Sequence, residues 1–169
     1  MGGAQGRVLA LALAGLAVAL PAPAIARDSL GVFGQWGAFR DPSVPRCYAI
    51  AKPSSTSRGG TYASFASIGT WPRRQVRGQL HVRLSRKISP AGAITLRIGE
   101  RSFELTGGGG DAWAQDKRMD AAVIAAMRSA ARLTITARDT GGRVFSDSYS
   151  LDGAATAMDA ATVGCARIR

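Results

Sequence analysis

Gln79-Leu80-His81-Val82-Arg83-Leu84-Ser85 decides the fold class. Leu80, Val82 and Leu84 alternate with His81, Arg83 and Ser85. That period of two puts one face of a strand toward a core and leaves a polar face outside. Ile94-Thr95-Leu96-Arg97-Ile98 and Leu133-Thr134-Ile135-Thr136-Ala137-Arg138 repeat the pattern. Arg101 to Leu105 follows the short hairpin signal Gly99-Glu100, and Val144 to Leu151 follows the turn Asp139-Thr140-Gly141-Gly142-Arg143. Nearer the N-terminus, Leu30 to Phe39 reads as a first strand with a bend at glycine. Asp41 to Pro45 is a turn, Arg46 to Ala51 a second strand, and Lys52 to Gly60 a Ser- and Gly-rich flexible loop. Tyr62 to Ile68 alternates except at Phe65, which marks a bulge or a strand buried on both faces. About eight short strands at this spacing predict a mainly β, antiparallel β-sandwich-like domain.

One helix interrupts the strands, at about 117–131. Met119, Ala122, Val123, Ala126, Met127 and Ala130 fall on one face of a 3.6-residue period, which suits core packing. Asp116 stands where an N-cap is expected. A second short helix is read through Gly153 to Ala161, ahead of Cys165.

Residues 1–26 carry the pattern of a Sec-type bacterial signal peptide. Arg7 precedes an apolar run from Val8 to Leu20, prolines break the run, and Ala24-Ile25-Ala26 offers a small-x-small cleavage site. The run is short of the ~20 apolar residues that a span needs, so no transmembrane anchor is expected after cleavage. Residues 27–169 then form a single exported domain, periplasmic or secreted. Export makes the compartment oxidising, so Cys47 and Cys165, the two cysteines of the chain, are expected to pair. The alternative, two reactive thiols, lacks a Cys-x-x-Cys motif. Two Cys and one His are too few for the four ligands of a structural zinc site, and no metal or cofactor is expected.

The formal net charge is +11, and the excess is concentrated. Residues 42–99 hold ten Lys and Arg and no carboxylate; elsewhere in the exported domain the signs cancel. Within this stretch Trp71-Pro72-Arg73-Arg74-Gln75-Val76-Arg77 sets three guanidinium groups beside an indole. Guanidinium forks suit phosphate and carboxylate groups, and indole rings stack. Trp71, Arg73, Arg74, Arg77, Arg83 and Arg86 are therefore the candidate ligand-binding residues. The expected partner is an anionic envelope glycan or lipid, or a protein.

Catalytic signals are sparse. His81 is the lone histidine and needs a partner to act as a base. Thr106 to Asp111 is a glycine run read as a flexible connection from strand to helix. It lacks the Gly-Lys-Ser/Thr ending of a phosphate loop, and no nucleotide cofactor is expected. Asp111, Asp116 and Asp120 are read together at the helix start, as cap and dipole partners.

In order along residues 30–166 the chain resembles the invasion-associated locus B family of exported bacterial proteins. The resemblance rests on Phe33-Gly34-Gln35-Trp36, on Cys47 within Arg-Cys-Tyr-Ala-Ile-Ala, and on Ile94 to Gly99. It continues through Asp120 to Arg128, Leu133-Thr134-Ile135 and Tyr149 to Ala154. It implies a β-rich alphaproteobacterial protein with no enzymatic residues to carry over. The expectation is a non-enzymatic envelope or secreted binding module, for anionic envelope components or a host surface. The alternative is a periplasmic hydrolase with His81 as its base.

Overall fold

A computed structural model describes Gly2 and residues 27–90 and 92–166. The expected signal peptide, apart from Gly2, lies outside them. Eleven antiparallel strands form one continuous sheet. They are β1 (Asp28–Phe33), β2 (Trp36–Asp41), β3 (Arg46–Ala51), β4 (Ser55–Thr56), β5 (Phe65–Trp71), β6 (Val76–Arg83), β7 (Ile94–Ile98), β8 (Arg101–Gly108), β9 (Asp111–Trp113), β10 (Arg132–Arg138) and β11 (Val144–Ser150). Two helices complete the fold, α1 (Lys117–Met127) and α2 (Ala154–Ala166).

The strand order is β1-β2-β3-β5-β6-β9-β8-β7-β10-β11-β4. β8 is the corner. Arg101 to Leu105 pairs with β7, whereas Thr106 to Gly108 pairs with β9. One strand thus serves two layers, as strands at the corners of orthogonal sandwiches do. Leu80, Val82 and Leu84 supply the inner face of the larger layer, and all three are fully buried. Leu96, Leu133, Ile135 and Phe145 supply that of the second layer, with at most 1% exposure. These side chains belong to one core, as alternation predicts.

α2 covers what the second layer leaves open, packing on β1, β2, β3 and β5. Cys165 on α2 joins Cys47 on β3 in a disulfide across 118 residues. The turn before α2 requires glycine. Gly153 has φ 81°, and a Cβ there would collide with the Phe33 carbonyl. α1 is capped as expected, with the Asp116 carboxylate accepting from the Met119 N–H at 2.7 Å. Val123 and Met127 reach the core.

Several local expectations change. Leu30 to Phe39 is two strands, because Phe33 pairs with Trp36 across a tight turn at Gly34, which has φ 53°. The strand read from Tyr62 begins at Phe65, and Tyr62 lies in the preceding loop. This removes the phase conflict: Ala66 and Ile68 face the core while Phe65 and Ser67 sit in the outer register. The flexible loop contains β4, which pairs with β11 through Ser55 and Thr56. The glycine run is the turn of the β8–β9 hairpin, not a connection into α1. Asp111 accordingly stands in a strand. Asp120 is buried and accepts the Leu80 N–H at 2.8 Å, where β9 is too short to pair with β6.

Candidate binding face

Register brings side chains from five strands onto the outer face of the larger layer. One row runs Gly37, Ile50, Ser67, His81 and Trp113 across β2, β3, β5, β6 and β9. A neighbouring row runs Phe39, Tyr48, Gly69 and Gln79. A third runs Phe65, Arg83 and Asp111. The two glycines are not gaps. The Phe39 ring lies over Gly37, and the Trp71 indole lies over Gly69, where a Cβ would collide with it. Aromatic rings folded over strand glycines protect the exposed backbone there.

The rings touch one another and the cations. Phe39 stacks on Tyr48 with centroids 5.7 Å apart, and the Arg46 guanidinium lies 4.8 Å from the Tyr48 centroid. His81 stacks on Trp113 at 5.2 Å and meets Phe65 edge-on at 5.3 Å. Arg83 sits 4.1 Å above the Tyr62 ring. Cation–ring contacts of this kind contribute about 0.5–1 kcal/mol at exposed sites. His81 Nε2 lies 3.0 Å from Asp111 Oδ1, and Arg83 binds the other carboxylate oxygen. Arg83 and Asp111 cancel, so the third row carries little net charge.

The candidate arginines separate into three groups. Arg73 and Arg74 sit on the single 3₁₀ turn at Pro72–Arg74, next to Trp71, and Arg77 follows at the start of β6. All three are exposed and make no ion pair among the described residues. The sharp turn is closed by Gln75, which takes the left-handed conformation at φ 54°. Arg83 shares the outer face but is held by Asp111.

Arg86 is not part of any surface. It is 9% exposed and pairs with Asp139 at 2.9 Å between the layers. The reason is position: Arg86 follows β6 where the chain turns inward beneath the Arg58 carbonyl, which it also binds. Lys52, Arg58 and Lys87 are exposed elsewhere, and Arg97 stands on the outer face of the second layer with Thr95, Thr134 and Thr136. The ten cations of residues 42–99 therefore disperse, except for the trio at the β5–β6 turn.

Between the layers lies a polar cluster that the sequence gives no sign of. Asp147 is fully buried and accepts the Ser85 N–H at 2.8 Å. Burial raises its carboxyl above the usual carboxylate range, and burial likewise raises the Tyr149 phenol. Asp139 moves the other way. The Arg143 N–H lowers it most, followed by the Arg86 guanidinium and the Gly141 N–H. A cavity of about 460 Å³ opens between the β5–β6 turn and α2, lined by Thr70, Gln75, Arg77 and Thr162 among others. Among the described residues no group of three or more His, Cys, Asp or Glu could hold a metal ion, and no helix is long and apolar enough to cross a membrane.

The fold and this face define a class: an antiparallel β protein with a disulfide-tethered helix packed on its sheet and an aromatic and cationic outer face. The family model described as "Invasion associated locus B (IalB) protein" matches residues 40–162, and the chain belongs to that family. The family is associated with the bacterial envelope. No curated protein and no solved structure matches the chain.

Proposed function

We propose that this family member is an exported, non-enzymatic module that works in the periplasm or outside the cell. It binds an anionic envelope component through Trp71, Arg73, Arg74 and Arg77. The observation that carries the reading is a trio of exposed guanidinium groups beside an indole at one corner with no ion pair among the described residues, while Arg83 and Arg86 are neutralised by aspartates. A cation that no carboxylate holds keeps its full attraction for an incoming anion. Export is supported by the signal pattern of residues 1–26 and by the Cys47–Cys165 disulfide, which persists in oxidising compartments.

The hydrolase reading has one observation in its favour, the His81–Asp111 pair at 3.0 Å. A triad also needs a nucleophile on the second ring nitrogen. Ser67, the hydroxyl opposite His81 in register, donates to the His81 carbonyl at 3.3 Å instead. Both cysteines are in the disulfide. The binding reading is therefore preferred. Its test is retention on immobilised lipopolysaccharide and heparin across a salt series. The Arg73→Ala/Arg74→Ala/Arg77→Ala variant is expected to elute at clearly lower salt than the wild type. Equal elution of the two proteins rejects the reading.

A further inference from the structure

We infer that the outer face of the larger layer is a track for an acidic polysaccharide. Sugar rings stack on its aromatic side chains, and the corner arginines take the sparse acid groups. The inference rests on the anion-binding reading and names the class of ligand for it.

Three observations lead to this. First, the rings stand outside the core cluster. They are half-buried, with Tyr48 the most enclosed, and among the described residues α2 and the second layer both lie on the opposite face. Second, rings alternate with hydrogen-bonding groups. Ser67, Gln79 and Asp111 share the rows with Trp113, Tyr48 and Phe65. A pyranose presents a C–H face and a rim of hydroxyls, and this surface answers both. Strands lie about 4.8 Å apart, so the row from Ile50 to Trp113 spans roughly 14 Å, the length of a short oligosaccharide.

Third, the charge is sparse and lies at one end. Asp111 ends the third row, at the end of the face away from the β5–β6 turn, and is paired with Arg83 and His81. A phosphodiester chain would bring a charge at every unit and would meet that carboxylate. A polysaccharide carrying occasional carboxylates would not, because its hydroxyls can donate to Asp111. Trp71 joins the two parts. Its indole lies on the track over Gly69, and its neighbours Pro72–Arg74 form the cationic turn.

The test compares three probes on the whole exported domain: hyaluronan oligosaccharide, with one carboxylate per disaccharide, inorganic polyphosphate and single-stranded DNA. Trp113→Ala is expected to weaken hyaluronan binding at least tenfold while leaving polyphosphate binding unchanged. The Arg73/Arg74/Arg77 triple alanine variant weakens both. Tyr62→Ala, which changes a loop residue outside every strand, should weaken hyaluronan alone, by a smaller factor. It keeps the test valid should Trp113→Ala melt early. Hyaluronan is also expected to shield the half-buried indoles of Trp71 and Trp113 from acrylamide quenching. If the ring variants change neither probe, or change both equally, the track is refuted while charge binding stands. Tighter binding of DNA than of hyaluronan refutes it too. If the wild type binds no probe, both readings fall.

Discussion

Reducing the Cys47–Cys165 disulfide should remove a large share of the stability. The crosslink closes 118 residues, tying β3 near the start of the domain to α2 at its end. On the chain-entropy account, a loop of that length restricts the unfolded ensemble by about 5 kcal/mol at 25 °C. Structure retained in the unfolded chain makes this an upper bound. Whole domains are stable by only about 5–15 kcal/mol, so the loss is a substantial fraction. The location adds a local consequence. α2 shields the inner face of β1 to β3, where Trp36, Ala38 and Ala49 are fully buried. Urea unfolding with and without reductant measures the effect, and reduction keeps both sulfur atoms in place and opens no cavity. With a urea slope of about 2 kcal/mol/M the midpoint should fall by roughly 2 M. Amide exchange should accelerate first in α2 and the strands beneath it. A midpoint shift below about 0.5 M would mean that the chain is already constrained without the bond, and the reasoning would fail.

Three further outcomes follow from the packing. Gly153→Ala should lower stability by more than about 2 kcal/mol, because the new methyl meets the Phe33 carbonyl at a backbone angle that suits glycine; an unchanged melting temperature would contradict this. Burial raises the Asp147 carboxyl above its ordinary 3.8 in the folded state. The penalty for ionising it is absent below that pH and grows as pH rises through the raised value. The melting temperature of the wild type relative to Asp147→Asn should therefore fall as pH rises above 3.8, and a constant difference would refute the assignment. Arg86→Ala should destabilise the fold measurably, whereas Arg73→Ala, Arg74→Ala and Arg77→Ala should each stay within about 0.5 kcal/mol in a thermal melt, because Arg86 is buried and the trio is exposed.

The strands that carry the core are legible in the sequence because one side of each faces an apolar layer and the other faces solvent. Leu80-Val82-Leu84 and Leu133-Ile135 repeat every second residue for that reason. The disulfide is legible from two cysteines and the oxidising compartment that the signal pattern leads one to expect. What escapes is set by tertiary contact. The Phe33–Trp36 turn hides inside a run of aromatic and small residues, and only pairing of β1 with β2 separates it. α2 extends to Ala166, beyond the expected Ala161, because Cys165 is held against β3. The charge run points to Arg73, Arg74 and Arg77, which are exposed, yet it cannot distinguish Arg86, whose partner Asp139 is 53 residues away. The ring face is the least legible feature. Phe39, Tyr48, Phe65, Trp71 and Trp113 are spread over most of the chain, and register alone makes them neighbours. Asp111 was masked by its glycine run, which reads as a linker until β8 is paired with β9.

The outer face of the larger layer, with its arginine corner, is the proposed place where the partner binds. Amide chemical-shift mapping of residues 27–169 during a hyaluronan oligosaccharide titration tests this most directly. Saturable shifts confined to residues 37–50, 62–83 and 111–113, and abolished by the Arg73/Arg74/Arg77 alanine variant, are the expected result. Shifts centred on Thr95, Arg97, Thr134 and Thr136, across the outer face of the second layer, would contradict it.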